Sequence, residues 1–101
     1  MSSKIIKVTI KKSSKSAKKL DAVFTRENGR TKTISFGSAG MDDYTLKKDK
    51  EQRKRYLARH QKRENWTVPD TAGSLSRWIL WGQSTSKQEN IRSFKKKFNL
   101  N

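Results

Sequence analysis

The sequence predicts an α+β domain, in which a small antiparallel sheet of about three strands is followed by about three helices. Three observations lead to this fold class. Alternating apolar and polar residues mark the first third of the chain, the dipeptide Asn28-Gly29 separates two strand-like segments, and apolar residues at helical spacing fill the remainder. Strands first and helices second is the order typical of helices that cover one face of a sheet.

The first strand is predicted at Lys4 to Ile10. Ile6, Val8 and Ile10 share one face of this segment, as in a half-buried strand. The next residues, 11–19, read KKSSKSAKK and are of low complexity. We interpret them as a flexible, basic Lys/Ser-rich loop.

A hairpin is predicted at Asn28-Gly29, because Asn-Gly between alternating segments is the strongest short-range hairpin signal. A two-residue type I′ turn would place Glu27 opposite Arg30 and Val23 opposite Ile34. The first pair is oppositely charged and the second is apolar, so this register is internally consistent.

The longest helix is predicted to begin at a cap formed by Asp42, Asp43 or Thr45 and to end near Arg63. A short helix capped by Asp70 or Thr71 follows. The last helix begins at the capping-box pattern of residues 86–89 (SKQE), and its apolar residues, from Ile91 onward, recur at helical spacing.

Charge is the strongest functional signal in the sequence. The 101 residues, 1–101, are enough for a single small basic domain, and they carry 25 Lys and Arg against 9 Asp and Glu, a net charge of +16. The excess lies in three blocks, 1–20, 47–65 and 87–101. Such blocks indicate a polyanionic partner, either a nucleic-acid backbone or an anionic surface.

Several classes of protein are excluded by composition. The chain has no cysteine, so it has no disulfide framework, no thiolate zinc site and no cysteine nucleophile. Its longest apolar run, Trp78 to Trp81, is far too short for a membrane span, so no integral membrane association is expected. No signal-peptide pattern precedes the first strand, and the protein is therefore expected not to be secreted.

The residues that could carry catalysis favour structural roles. His60 is the one histidine, and its spacing from Tyr56 places it beside the inner face of the longest helix. The pair Asp42-Asp43 precedes a helix and favours capping over Mg²⁺ binding. The loop from Gly37 to Gly40 lacks the Lys-Ser/Thr ending of a phosphate-binding P-loop. We therefore expect no enzyme, no cofactor and no metal site.

A basic stripe on the longest helix favours contact with phosphate. At 100° per residue, six basic positions share the side of the helix opposite to the arc of Leu46, Leu57 and His60. Solvated helix faces normally mix acidic and basic residues, whereas the positions of this stripe are all basic: Lys47, Lys48, Lys54, Arg55, Arg59 and Lys62.

Tryptophan is a second candidate for contact with a partner. Trp78 aligns with Leu75 and Ile79 and is expected in the core. Trp81 lies off that face, so it is either exposed, as a possible partner contact, or a second core residue. With so few aliphatic residues available, we favour the core for both.

Three segments carry a resemblance: residues 34–45 (ISFGSAGMDDYT), 54–66 (KRYLARHQKRENW) and 71–81 (TAGSLSRWILW). They resemble an uncharacterised family of short basic proteins encoded by large double-stranded DNA viruses of algae and protists. The resemblance implies a viral product located in the interior of the infected host cell, with the virion as a further location. It implies no activity and no functional residues.

The sequence therefore predicts a sequence-tolerant nucleic-acid-binding protein of a large DNA virus, packaged with the genome, with double-stranded DNA as the expected partner. The alternative is a structural virion component, a minor capsid or core protein that binds other virion proteins. Besides the six stripe residues, the expected phosphate contacts are Lys11, Lys12, Lys15, Lys18, Lys19, Arg30 and Lys32.

Overall fold

The computed structural model describes residues 4–101, in which a three-stranded antiparallel sheet precedes four helices. The strands are β1 (Ile5–Lys12), β2 (Lys18–Arg26) and β3 (Thr31–Ser38), in the order β1-β2-β3. The helices are α1 (Tyr44–Lys47), α2 (Lys50–Gln61), α3 (Ala72–Leu75), which continues as a π-helical turn (Ser76–Leu80), and α4 (Lys87–Lys97). The predicted α+β fold class is confirmed, and residues 1–3 of the predicted domain lie outside the described range.

The core lies between one face of the sheet and the helices. Val8 and Phe24 are directly opposite each other on β1 and β2, and both are buried. α3 and the π-helical turn pack on β3, and α4 packs on the π-helical turn. Ile79 and Phe94 are completely buried in these contacts. Burial of large apolar side chains is the main favourable contribution to the stability of so small a domain.

The register of the β2–β3 hairpin differs by one residue from the predicted register. Val23 lies opposite Thr33, and Ala22 lies opposite Ile34. The predicted pairing of Val23 with Ile34 is therefore wrong. A shift of one residue exchanges the two faces of a strand, and the observed register places Ala22, with no exposed surface, in the core.

The turn explains this shift, because it contains three residues rather than two. The Arg26 N–H donates to the Arg30 carbonyl, and the Gly29 N–H donates to the Arg26 carbonyl, both at 2.9 Å. Gly29 has φ +85°, but Asn28 is not among the residues with positive φ, which a type I′ turn requires. Gly29 is the third residue of this turn, and its left-handed conformation accommodates the extra residue.

Gly29→Val should destabilise the protein by about 1–2 kcal/mol, because a β-branched residue is strained at this left-handed φ. No neighbouring atom would touch the new Cβ, so the cost is one of backbone conformation. Chemical denaturation measures the change, with Gly29→Asn as the matched control, since asparagine tolerates the left-handed region far better. An unchanged midpoint for the valine variant would contradict this turn assignment.

The predicted basic loop is shorter than residues 11–19. β1 extends through Lys12 and β2 begins at Lys18, so only residues 13–17 connect the strands. The carboxylate of Asp21 accepts hydrogen bonds from the hydroxyls of Ser35 (2.6 Å) and Ser13 (2.7 Å). These bonds, that from Ser35 first, lower the pKa of Asp21 to about 2. A buried carboxylate thus ties the connection to the sheet.

The predicted long helix is divided in two. α1 ends at Lys48, whose φ of +56° is left-handed, and Asp49 then begins α2 by accepting hydrogen bonds from the N–H groups of Glu51 and Gln52. The interruption changes the helical phase. Leu46, which the sequence places on the apolar arc, is instead 59% exposed.

The remaining helix starts agree with the sequence. Thr71 caps α3 by accepting a hydrogen bond from the Ser74 N–H at 3.1 Å. Ser86 caps α4 by accepting from the Glu89 N–H at 3.3 Å. Among the helices of residues 4–101, none combines the length and the apolar character that crossing a membrane requires.

Candidate nucleic-acid interface

Helix α2 presents the main basic surface, and its inner side determines which residues face outward. The Tyr56 ring stacks on the Trp81 ring, with centroids 4.3 Å apart and planes 7° apart. The Arg53 Nε–H donates to the carbonyls of Trp81 (3.2 Å) and Gly82 (2.9 Å). These contacts hold one side of α2 against the end of the π-helical turn.

The opposite side of α2, together with its C-cap Lys62, carries four exposed cations, which we call the α2 basic surface: Lys54, Arg55, Arg59 and Lys62. None of them takes part in an ion pair with another residue of 4–101. Four cations over about two helical turns outnumber the acid on the same face of α2, Glu51, and form a local positive potential. Such a potential attracts phosphate groups.

Three of the six predicted stripe residues lie outside the bounds of α2: Lys62 is its C-cap and continues its helical phase, whereas Lys47 and Lys48 precede it. Lys47 is in the last turn of α1, and Lys48 is the left-handed residue that ends α1. Both are exposed, but the break before Asp49 removes them from the helical phase of α2. The prediction of one continuous stripe is therefore wrong for Lys47 and Lys48.

The Lys19 side chain is held in place by contacts within the protein. Its Nζ lies 2.5 Å from a carboxylate oxygen of Asp43 and 2.5 Å from the Met41 carbonyl. The Lys19 side chain is only 16% exposed. The prediction that Lys19 is mobile is therefore wrong, and the ion pair with a buried acid reduces what its ammonium can contribute to phosphate binding.

Lys32 is also engaged. Its Nζ lies 3.3 Å from the Asp70 carboxylate, to which Arg26 also comes within 3.8 Å. This pair reduces what Lys32 can contribute to phosphate binding, although half of its side chain is exposed. Arg30 lies beside the hairpin turn and is exposed.

The other predicted lysines surround the β1–β2 connection. Lys11 and Lys12 end β1, Lys15 lies in the connection, and Lys18 begins β2; all four are exposed. No ion pair joins them to other residues of the described range. They extend the exposed positive charge to a second part of the molecule.

Trp81 is buried, with 7% of its surface exposed. Its ring is covered by Tyr56, and its carbonyl accepts hydrogen bonds from Arg53 and Arg77. The option of Trp81 as an exposed partner contact is therefore wrong, and the favoured core role is correct. Trp81 falls off the expected face because the helix widens to a π-helical turn just before it.

The acidic pair divides into two different roles. Asp43 is 1% exposed and caps α1, accepting hydrogen bonds from the N–H groups of Thr45 (2.8 Å) and Leu46 (3.2 Å). Asp42 is exposed and has no ion-pair partner in residues 4–101. Across that range, no group of three or more His, Cys, Asp or Glu residues could hold a metal ion.

The structure contains a cleft that the sequence did not indicate. This cleft brings a predicted phosphate contact at the start of β2 close to two arginines of the α2 basic surface. It has a volume of about 600 Å³ and lies between α2 and the ends of β2 and β3. Its lining includes Lys18 from β2 and Arg55 and Arg59 from α2. Lys18 is 37 or more positions from the two arginines in the chain, so only the tertiary structure reveals their proximity.

Aromatic residues form one wall of this cleft. The His60 ring stacks on the Tyr56 ring with centroids 4.1 Å apart, so that Trp81, Tyr56 and His60 form a continuous column. The His60 Nδ1 lies 3.1 Å from a Glu64 carboxylate oxygen, which fixes the imidazole orientation. His60 is partly buried and packs against Tyr56. The spacing of the two residues in the sequence predicted this structural role.

The Tyr56 hydroxyl stays protonated at neutral pH. Burial, and then the negative charge of Glu64, raise the pKa of Tyr56 to about 12. The phenol is therefore a hydrogen-bond donor beside the cleft.

Together, the sheet, the helices and the α2 basic surface define a small basic α+β protein with an anion-attracting face. The chain belongs to a family of unknown function, DUF5754, whose model matches residues 8–60. The match spans the region from β1 to the end of α2. No curated protein and no solved structure matches the chain.

Proposed function

We propose that the protein binds nucleic acid through the phosphate backbone with little dependence on base sequence, and that double-stranded DNA is its partner. The observation that carries this proposal is the α2 basic surface, four exposed cations without an acidic partner in the described range. Non-specific binding to DNA comes almost entirely from such charges, because each neutralised phosphate releases condensed counterions.

The remaining exposed lysines support the same mode of binding. Lys11, Lys12, Lys15 and Lys18 add positive charge at the β1–β2 connection. Lysine offers a point charge without the fixed bidentate geometry that reads a base edge. Affinity from these residues should therefore depend on phosphate number and salt rather than on sequence.

The setting that we propose is a large DNA virus, on the basis of the family resemblance of residues 34–81. The alternative, a virion component that binds other proteins, is less favoured because the aromatic anchor considered for it, Trp81, is 7% exposed. Protein interfaces depend on accessible aromatic or arginine anchors.

A salt titration against duplex DNA tests the proposal. With five to eight phosphate contacts, the log–log slope of affinity against salt should be about −4.5 to −7. Two duplexes of equal length and scrambled sequence should bind within about threefold of each other, since phosphates are common to both. Fluorescence anisotropy measures both quantities. A slope shallower than about −2 would contradict backbone binding by this surface.

A further inference from the structure

We propose that the cleft between α2 and the ends of β2 and β3 binds a single unpaired nucleotide, with its phosphate at Arg55 and Arg59 and its base against His60. This inference rests on the proposed function when the nucleotide belongs to a nucleic-acid strand. A free mononucleotide has the same chemistry, and the experiments below separate the two sources.

The dimensions of the cleft suit such a ligand. Its volume of about 600 Å³ lies within the range of about 300–1,000 Å³ that is usual for small-molecule sites. Most of its accessible lining is polar, with cations from Lys18, Arg55 and Arg59, whereas Phe36 and Leu80 lie beneath it with at most 2% of their surface exposed. Polar and charged groups of this kind orient a ligand and provide specificity.

The charges without partners are mostly positive. Lys19 and Asp43 neutralise each other, and Glu64 is held by His60 and by the Trp66 indole N–H, at 2.8 Å. The other charged residues of the cleft are three cations, Lys18, Arg55 and Arg59, and two carboxylates, Asp42 and Glu64, since the contact of Glu64 with His60 is an ion pair only when the imidazole is protonated. The balance is positive by one charge and favours an anion, which the two carboxylates oppose.

Tyr56 offers a hydrogen-bond donor to such a ligand. The residue is nine-tenths buried and lines the cleft, and its hydroxyl makes no hydrogen bond to another residue of 4–101. The hydroxyl itself is not among the fully buried polar groups of that range that lack a partner, so it is accessible from the cleft. A phosphate oxygen or a base acceptor in the cleft would accept from it.

The aromatic column indicates where a base would lie. Trp81, Tyr56 and His60 stack in sequence, and His60 ends the column in the lining of the cleft. The His60 side chain is 34% exposed, so part of its surface is open to a ligand. A base that stacks on His60 would add one ring to the column, as bases do on aromatic residues of single-strand binding proteins.

A nucleotide uses both features of the cleft, and simpler ligands use only one. An inorganic anion would engage the arginines and leave the imidazole without a role. An apolar molecule would leave three cations without partners. Base stacking is tolerant of sequence because every base has an aromatic face, which agrees with the proposed lack of base preference.

The first experiment compares a blunt DNA duplex with the same duplex carrying one unpaired 3′ thymidylate. The wild-type protein should bind the second about tenfold more tightly, the effect expected of one stacked base. His60→Ala should remove most of this gain, Tyr56→Phe should remove the smaller part that the hydroxyl contributes, and both should leave blunt-duplex affinity and its salt slope unchanged. His60→Phe, which retains a stacking face, should keep part of the gain.

The second experiment uses free adenosine 5′-monophosphate and follows the fluorescence of tryptophan, since Trp81 lines the cleft. Saturable binding that is weakened by Tyr56→Phe and strengthened a few-fold by Asp42→Asn supports the site, even if blunt duplex is not bound and the backbone proposal fails. Asp42 is exposed, so the asparagine variant should fold normally.

Two results together would overturn the cleft proposal: no preference for the unpaired nucleotide, and no saturable binding of adenosine 5′-monophosphate at millimolar concentration. Equal losses on blunt and overhanging duplexes in Tyr56→Phe would also contradict it, because they would indicate a general structural effect. Circular dichroism of each variant identifies such an effect directly.

Discussion

Replacement of Lys54, Arg55 and Arg59 by glutamate should remove most of the binding to duplex DNA while the protein remains folded. The change lowers the net charge by six, from +16 to +10. All three side chains are exposed, and none has an ion pair in the described range. The loss of three phosphate contacts should make the salt slope shallower by about 2.7.

The matched control has the same change in charge at scattered exposed positions, Lys7→Glu, Arg92→Glu and Lys96→Glu. If only total charge governs binding, the two triple variants should lose affinity equally. If the α2 basic surface is the binding face, the control should bind substantially more tightly than the α2 variant. Undiminished binding by the α2 variant would remove this surface from the mechanism and leave the lysines around the β1–β2 connection as the candidates.

Much of the fold follows from local signals in the sequence. The alternation of Ile6, Val8 and Ile10 predicts β1, and Thr71 and Ser86 mark helix starts that the structure confirms. Asn28-Gly29 gives the position of the hairpin but not its register. The register depends on whether one or two residues of the turn have positive φ, and Asn-Gly is compatible with both.

The division of the long helix has no clear local signal. Lys48 adopts φ +56°, although lysine has no special preference for the left-handed region. The interruption is accompanied by two separate caps, Asp43 for α1 and Asp49 for α2. An aspartate inside a predicted helix is the one indication that a new helix could start there.

The sequence predicts which residues of the candidate site are exposed. It does not predict which distant residues the tertiary structure brings together. Periodicity on α2 identifies Lys54, Arg55 and Arg59 as outward residues, because the opposite face carries Tyr56. The ion pair of Lys19 with Asp43 joins residues 24 positions apart, and no pattern in the sequence specifies such a partner. The cleft was missed for the same reason.

The loop before α1 is held to the sheet by one carboxylate. Asp43 caps α1 with one oxygen and binds the Lys19 ammonium of β2 with the other. The same segment also requires a glycine at position 37. The φ of Gly37 is +76°, and an added Cβ would come within 2.7 Å of Leu80 Cδ1. The neutral-looking segment of residues 37–43 is therefore a structural connection between the sheet and the helices.

Asp43→Ala should destabilise the protein by about 3 kcal/mol or more, because it removes a helix cap and leaves the largely buried Lys19 ammonium without its counter-ion. Small domains have total stabilities of only about 5–15 kcal/mol, so the midpoint of thermal unfolding should fall by many degrees. Asp42→Ala is the matched control, since the adjacent carboxylate is exposed and should change stability by less than about 0.5 kcal/mol. Equal effects of the two substitutions, measured by chemical denaturation, would show that the contact between Asp43 and Lys19 does not stabilise the fold. Adding Lys19→Met to Asp43→Ala should restore part of the loss, because the second change removes the unpaired buried charge.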